Sequence, residues 1–427
     1  MKTEKMEISK GVSLRFLETD KFKTNVMSVY FRLPLDRKTV TKVALLPRVL
    51  KRGSEKYPTM SDLSRRAQEL YGASLSADNG KRGDLMLLRV SAQFVSDSFI
   101  SESIFGDVCE LVKEFVLCPV TRDGAFDKAY VQQEKENTRN YIMGLINDKK
   151  EYASVRCNEI MFKDDPYGII SHGYVEDLDE IDEKNLYEFY KEMIKGAEID
   201  IYVSGSFDKT IVKNEIEKNF KEAFCDREAL VCETALASIE ENIEVKNVVE
   251  EMPVSQSKLS MGFNCGIDPR SDGSYALALC SCLYGGSAIS KLFNNVREKL
   301  SLAYYVFSAV DRHKGCMKVN AGIEASKYDE AYNEIMLQLD MMKKGEFTDE
   351  EIDFAKKTFK NSAGSIKDSL AATEDFYMGR ALLGVEESVD EYLEKINKVT
   401  REEIIAAANR IQLDTIYFLK GVQCNEI

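Results

Sequence analysis

The residue types that could hold a catalytic metal are scarce in this sequence. A hydrolytic zinc ion needs three protein ligands and a carboxylate that activates its water, and two of the ligands are usually histidines one helical turn apart. The only two histidines, His172 and His313, are far apart in the chain. His172 stands beside Gly173, as in a loop, and His313 lies in a turn-like stretch. Because an isolated histidine fixes no ligand geometry, we interpret both as structural and predict no metal site.

Other catalytic arrangements are not indicated either. No Gly-x-Ser-x-Gly element marks a serine nucleophile. Gly285-Gly286-Ser287 could suggest a phosphate-binding loop, but the next lysine is Lys291 and no Gly-Lys-Ser/Thr step follows. Glu134 and Glu136 lie on a charged helical stretch, where a solvated face is the simpler interpretation. We therefore predict no catalytic residues in this chain.

Length and composition limit the class of protein. The chain has 427 residues, 44% of them hydrophobic, which is enough for two domains of roughly 200 residues each. Its net charge of -14 opposes sequence-independent binding to nucleic acid or anionic lipid. No apolar run approaches the roughly 18 residues of a membrane span, and the first residues lack the apolar core of a signal peptide. Ten scattered cysteines without a Cys-x-x-Cys pair fit a reducing compartment. We expect a cytoplasmic protein that binds neither nucleic acid nor membrane.

The helices and strands that would position functional residues follow the same order in each half of the chain. In the first half, Asp182 can cap a helix, and residues 199–203 follow as a strand. In the second half, Thr400 and Glu403 form a capping box before a strand at residues 415–419. This shared order predicts an internal repeat.

The boundary between the halves is predicted from a change in composition. Gly173 and Gly384 each open an acidic segment upstream of the final helix of their half. Between the halves, an acidic stretch near residues 225–242 separates the two patterns. We therefore predict domains at residues 1–228 and 229–427.

The mixture of helices and strands favours an α+β fold. Residues 85–92 are typical of a buried strand, and Thr348 with Glu351 forms a capping box that opens a long helix. Helical spacing is shared by Ile100, Ile104, Val108, Leu111 and Phe115. Because strands and helices come in uneven runs, a sheet with helices packed on it is favoured over a doubly wound sheet.

One segment of the second half resembles a known signature. Residues 283–304 are very similar to the second-half signature of M16 peptidases, the insulinase family, which combines a small-residue loop, a helix ending in Arg-Glu-Lys and a later tyrosine. In that family the arginine and tyrosine hold the substrate backbone and the reacting carbonyl across the cleft from the metal. The resemblance places these roles on Arg297 and Tyr304, whose side chains can donate hydrogen bonds to a peptide oxygen. It also assigns substrate contacts to the loop residues Gly285, Gly286 and Ser287.

The first half resembles the same family at the positions where the zinc motif is expected. In active members a Gly-Ser or Gly-Thr pair follows the inverted motif His-x-x-Glu-His by a fixed step. Counting back from Gly53 places Ala44 and Arg48 at the histidine positions and Pro47 at the glutamate. The third ligand position falls at Tyr141. The resemblance therefore implies a degenerate zinc site.

The resemblance covers nearly the whole chain and has consequences for fold and function. It implies two M16-type sandwich domains, each a mainly antiparallel sheet with helices packed on it. It implies a catalytically inactive homologue that pairs as a heterodimer with an active, zinc-bearing M16 subunit, binds extended peptide and contains no zinc of its own. The chain is also similar to a bacterial branch linked to modification of elongation factor P. Two alternatives stay open: a homodimeric peptide-binding or scaffold protein, and an independent metallopeptidase.

Overall fold

The computed structural model describes residues 4–228, 235 and 244–422. The strands are β1 (Glu4–Ser9), β2 (Val12–Glu18), β3 (Thr24–Pro34), β4 (Ser74–Arg82), β5 (Leu85–Val95), β6 (Thr121–Arg122), β7 (Ala125–Phe126), β8 (Glu198–Gly205), β9 (Lys246–Met252), β10 (Ser257–Asn264), β11 (Ala303–Asp311), β12 (Cys316–Ile323) and β13 (Gln412–Gly421). The helices are α1 (Val40–Leu50), α2 (Met60–Glu69), α3 (Phe105–Leu117), α4 (Lys128–Leu145), α5 (Lys149–Met161), α6 (Glu183–Gly196), α7 (Lys209–Phe220), α8 (Gly273–Ser281), α9 (Tyr328–Lys344), α10 (Asp349–Lys367), α11 (Leu370–Leu382), α12 (Val389–Lys398) and α13 (Arg401–Asn409). Short 3-10 turns lie at Asp97–Phe99, Pro166–Gly168, Glu176–Asp179 and Ala325–Lys327, and π-helical segments at Cys282–Gly286 and Leu292–Lys299.

The two large sheets share one strand arrangement. The first has the order β1-β2-β8-β3-β5-β4, and the second has the order β11-β12-β10-β13-β9. Each contains a single parallel pair, β2 with β8 and β13 with β9, while its other pairs are antiparallel. Strand β8 therefore corresponds to β13, β3 to β10, and the outer strand β4 to β11. The predicted α+β fold and its internal repeat are confirmed.

Alternation along the strands explains why each sheet forms a core on one face. In β10, Leu259, Met261 and Phe263 are buried in the second core, while Gly262 lies on the opposite face. A Cβ at Gly262 would stand 2.6 Å from Sδ of Met161 on α5. Successive side chains of a strand point to opposite faces, so one strand can serve the core and receive a helix of the other half.

The halves exchange helices. Helix α5 of the first half packs on the second sheet, and α11 of the second half packs on the first sheet. On α5, Ala153 and Cys157 pack against Tyr417 and Leu419. On α11, Tyr377 and Met378 pack against Leu17, Tyr30 and Tyr202. Each sheet is thus covered on one face by its own helices and contacted on the other by a helix from the opposite half.

Most locally encoded elements lie where the sequence predicts them. Strands β5, β8 and β13 contain the predicted segments, and capping boxes are present at Asp182, Thr348 and Thr400. Among the described helices, none is long and apolar enough to cross a membrane.

The prediction that the helical spacing begins at Ile100 is wrong. Helix α3 begins at Phe105, and Ile100 is extended. The carboxylate of Asp97 accepts hydrogen bonds from the Ser103 hydroxyl and from the Ile104 amide at 3.1 Å, which folds the intervening residues into a turn. Residues 229–234 and 236–243, beside the predicted domain boundary, lie outside the described residues, so the bounds 1–228 and 229–427 stay a prediction.

Candidate functional site

The predicted remnant of the zinc motif lies on helix α1. Ala44 is buried, Pro47 is buried within the helix, and Arg48 is half-buried in the last turn. Ala44 and Pro47 present only hydrocarbon at the positions that the resemblance assigns to a ligand and a catalytic carboxylate. The helix therefore offers neither a first ligand nor a general base.

Arg48 and Tyr141 are brought together across α1 and α4. The guanidinium carbon of Arg48 lies 5.1 Å from the centre of the Tyr141 ring. His172 also contacts Tyr141: the two rings meet edge-on with centroids 5.4 Å apart. Burial lowers the pKa of His172, and the charge of nearby Arg48 acts in the same direction. The result is an arginine, a tyrosine and a neutral imidazole in contact.

These residues do not fit a zinc ion. Zinc is bound by thiolate, imidazole or carboxylate groups, whereas the predicted positions carry a methyl group, a guanidinium and a phenol. A permanent cation on Arg48 would repel the metal. Within residues 4–228, 235 and 244–422, no group of three or more His, Cys, Asp or Glu side chains is placed to hold a metal ion.

Glu134 is a buried carboxylate about two helical turns before Tyr141 on α4. It is 7% exposed, and it accepts a hydrogen bond from Nε of Arg52 at 2.5 Å and from Nδ2 of Asn137 at 3.2 Å. The prediction of a solvated face is therefore wrong for Glu134, because Arg52 reaches it from the end of α1. Glu136 lies near Arg139 on the same helix and is exposed.

Arg297 lies on the π-helical segment Leu292–Lys299 and faces solvent. Its side chain is 43% exposed, with Nε 3.5 Å from a carboxylate oxygen of the adjacent Glu298. The guanidinium carbon lies 4.8 Å from the centre of the Phe293 ring. An exposed ion pair of this kind is weak, so the guanidinium is available to another acceptor.

Tyr304 lies at an irregularity of the outer strand β11. Ala303 pairs with Ile323 and Tyr305 with Gly322, so Tyr304 is the extra residue of a bulge. Its side chain is 60% exposed, and its hydroxyl donates a long hydrogen bond of 3.4 Å to Glu324. The bulge turns the phenol outward on a strand whose outer edge pairs with no other strand among the described residues.

The small-residue loop Gly285-Gly286-Ser287 is buried at one end and exposed to solvent at its middle residue. Gly285 is buried, and a Cβ there would stand 2.6 Å from the backbone nitrogen of Ser308 on β11. Gly286 is exposed and Ser287 half-buried. Glycine at position 285 thus allows the segment Cys282–Gly286 to lie directly on β11, the strand that carries Tyr304.

The zinc-motif positions on α1 and the small-residue loop of the second half follow corresponding strands of the repeat. Helix α1 follows β3, and the segment Cys282–Gly286 follows the corresponding strand β10 after α8. The described contacts of Arg48 and Tyr141 remain in the first half, and those of Arg297 and Tyr304 remain in the second. The structure therefore brings Arg48 to Tyr141 but does not join the two sets.

Some polar groups between the halves could not be identified from the sequence. Glu374 on α11 is fully buried and accepts hydrogen bonds from the hydroxyl of Tyr30 at 2.8 Å and of Ser204 at 3.1 Å. The fully buried Lys314 reaches Asp84 at 2.8 Å and Asp165 at 2.7 Å. Their partners are 149 or more positions distant in the chain, so no local pattern marks them.

Comparison with known families and proteins agrees with this geometry. The family described as "Peptidase M16 inactive domain" matches residues 180–359. The chain is 35% identical over 422 residues to "Probable inactive metalloprotease YmfF" of Bacillus subtilis, covering 97% of this chain and 96% of that protein. It is 25% identical to "Uncharacterized zinc protease YmxG" of the same organism, covering 68% and 71%.

Solved structures show the same fold. A conserved protein from Enterococcus faecalis superposes with a TM-score of 0.90 at 29% identity, covering 100% of both chains. A peptidase M16 inactive domain from Pseudomonas fluorescens superposes with a TM-score of 0.81 at 18% identity, again over 100% of both chains.

Proposed function

Because this chain belongs to peptidase family M16 and is a homologue of the inactive metalloproteases of that family, we propose that it is the non-catalytic subunit of a peptide-processing pair. Its partner would be an M16 subunit with an intact zinc motif, and that subunit would hold the zinc. The two halves, taken as residues 1–228 and 229–427, would form one wall of a chamber for extended peptide. The observation that carries the proposal is the contrast between Ala44, Arg48 and Tyr141, which cannot hold zinc, and the exposed Arg297 and Tyr304.

The solvent exposure of Arg297 and Tyr304 supports a role in contacting peptide held between this chain and a partner subunit. Arg297 and Tyr304 present a guanidinium and a phenol to solvent without a buried partner that occupies them. Both groups donate hydrogen bonds to an oxygen that gains negative charge during peptide hydrolysis. The open edge of β11 beside Tyr304 could also pair with the backbone of an extended peptide. Since no group of side chains in the described part of this chain is placed to hold a metal ion, their contribution would require the metal of another subunit.

The pairing is tested with the purified chain and a zinc-bearing M16 homologue from the same organism. Size-exclusion chromatography with light scattering measures whether a 1:1 complex forms, and quenched fluorescent peptides measure hydrolysis. We expect little hydrolysis by this chain alone and a clear gain when both are present. A stable homodimer that neither binds the homologue nor raises its activity would contradict the proposal and favour a peptide-binding or scaffold protein.

Substitutions test whether the predicted pair acts on substrate. In the reconstituted complex, Arg297→Ala and Tyr304→Phe should each lower kcat/KM by about tenfold or more, because each removes a charge-directed hydrogen bond. Lys299→Ala, at an exposed position two residues beyond Arg297, is the matched control and should leave hydrolysis unchanged. Full activity of both variants in an intact complex would remove Arg297 and Tyr304 from the site.

A further inference from the structure

A cavity of about 540 Å³ lies where the two halves meet. Arg82 and Tyr167 line it from the first half, and the second half contributes the turn between β11 and β12 together with helices α10, α11 and α12. None of the residues predicted from the sequence to act on peptide lines it. Its size falls within the range of roughly 300–1,000 Å³ typical of small-molecule sites.

One side of the cavity is apolar. Its lining is supplied by Phe359, Ile366, Phe376, Leu383, Val389 and Tyr392. The ring of Phe376 packs edge-on against Tyr392, with centroids 5.8 Å apart, so the aromatic wall is held in place by its own contacts. Such a surface favours the apolar body of a ligand.

Part of the charge in the cavity is already neutralised. Arg82 is paired with Asp375 at 2.8 Å, and Arg380 is paired with the buried Glu387 at 2.5 Å. Asp311 accepts a hydrogen bond from the hydroxyl of Tyr167 at 2.6 Å and from the amide of His313 at 2.9 Å. Asp375 and Glu387 are thus neutralised by their arginines, whereas Asp311 keeps its single negative charge because these two donors are neutral.

Two cations in the lining have no carboxylate partner in the part of the chain that the structure describes. Arg312 donates to the hydroxyl of Tyr392 and lies 4.8 Å from the centre of its ring, which leaves the charge uncompensated. Lys318 is half-buried and makes no described hydrogen bond or ion pair. Burial and then the charge of Lys318 lower the pKa of neighbouring Lys81 to about 8. The two cations, Arg312 and Lys318, outnumber the single unneutralised carboxylate, Asp311, so in a protein of net charge -14 the cavity has a local surplus of positive charge.

We propose that this cavity binds a small organic carboxylate with an apolar body. The carboxylate would accept hydrogen bonds from Arg312 and Lys318, and the apolar body would pack on the aromatic wall. A free carboxylic acid and the C-terminal residue of a peptide share this chemistry. Because residues of both halves line the cavity, bound ligand also stabilises their packed arrangement. The site is separate from Arg297 and Tyr304, so it stands whether or not the chain pairs with an active subunit.

Calorimetric titration of the full chain tests the site with a defined probe. We expect 4-phenylbutyrate to bind, and its neutral amide, 4-phenylbutanamide, to bind at least about tenfold more weakly because it lacks the charge. Lys318→Gln and Arg312→Gln should each weaken binding of 4-phenylbutyrate by about tenfold or more. Lys344→Gln, on the exposed face of α9, is the matched control and should not change binding.

A second titration distinguishes the two sources of carboxylate. N-acetyl-leucyl-phenylalanine binding more tightly than 4-phenylbutyrate indicates a peptide C-terminus, and the reverse order indicates a free acid; both support the site. Circular dichroism of Lys318→Gln and Arg312→Gln shows whether the variants keep the fold. The proposal is overturned if neither acid binds, or if folded variants bind 4-phenylbutyrate as tightly as the unaltered chain does.

Discussion

At the scale of single residues, the predicted zinc-motif positions Arg48 and Tyr141 carry groups that stabilise each other. Arg48 stacks on Tyr141 at 5.1 Å, and Tyr141 meets His172 at 5.4 Å. A cation over an aromatic ring is favourable by about 0.5–1 kcal/mol at an exposed site. The positions therefore differ from a zinc site in charge as well as in ligand type, and restoring one residue cannot restore the metal.

Arg48→His tests whether a single added histidine allows this region to bind zinc. The variant removes the cation and supplies one imidazole beside His172, but Ala44 and Tyr141 still provide no ligand. We expect the purified variant to contain no stoichiometric zinc, because at least three protein ligands are needed. Mass spectrometry of metals after dialysis against zinc measures this, with the unaltered chain as control. Stoichiometric zinc in the variant would show that another ligand set exists.

Glu374 gives a prediction about pH. Burial raises the pKa of its carboxyl above the usual value of 4.5, although Arg89 acts in the opposite direction. The folded state therefore binds the proton more tightly than the unfolded state, so stability is lost as the pH rises above the usual value of 4.5. Glu374→Gln cannot titrate. The free energy of unfolding of the unaltered chain minus that of the variant should therefore fall as the pH rises above 4.5. Urea unfolding at a series of pH values measures this difference in free energy, and a difference that stays constant or grows with rising pH would contradict the prediction.

At the scale of elements, Gly285 fixes how closely the segment Cys282–Gly286 approaches β11. A Cβ at this position would lie 2.6 Å from the Ser308 backbone nitrogen and 2.8 Å from a side-chain carbon of Leu292. Backbone cannot move aside as a flexible side chain can, so β11 and Tyr304 would have to shift. The glycine thus connects the loop of the predicted signature to the position of its tyrosine.

Gly285→Ala should destabilise the protein by about 1–3 kcal/mol through overpacking. Gly364→Ala is the matched control, because Gly364 lies within α10 and a Cβ there meets nothing within 4 Å. Alanine is the better helix former, so the control should stabilise by about 0.5–1 kcal/mol. Urea unfolding of both variants measures the two free energies, and equal effects of the same sign would exclude the packing explanation.

Elements encoded by nearby residues could be predicted from the sequence, whereas those encoded by distant residues could not. The capping boxes at Thr348 and Thr400 depend on residues three positions apart, and both are present. The environment of Glu134 depends on Arg52, which is 82 positions away, and the prediction there is wrong. Arg48 and Tyr141 could be assigned to zinc-ligand positions from the family resemblance, but the contacts of Tyr141 with Arg48 and His172 follow from the packing of α1, α4 and a later loop.

At the scale of the whole molecule, the two halves are joined by polar groups as well as by the exchanged helices. Lys314, in the turn between β11 and β12, has no exposed side-chain surface, and its Nζ lies 2.8 Å from Asp84 and 2.7 Å from Asp165 of the first half. The hydroxyl of Tyr167 donates to Asp311 at 2.6 Å in the same region. A buried cation between two carboxylates tolerates the loss of one partner poorly, because the remaining charges lose their compensation.

Lys314→Met should therefore lower the free energy of unfolding by about 3–5 kcal/mol, since Asp84 and Asp165 are left facing each other without a cation. Adding Asp84→Asn and Asp165→Asn should recover most of this loss, because the combined change removes all three charges. Lys420→Met is the matched control: its ion pair with Glu251, also at 2.8 Å, is exposed, so the change should cost less than about 1 kcal/mol. If Lys314→Met cost no more than this control in urea unfolding, the contact between the halves would depend on the exchanged helices rather than on buried charge.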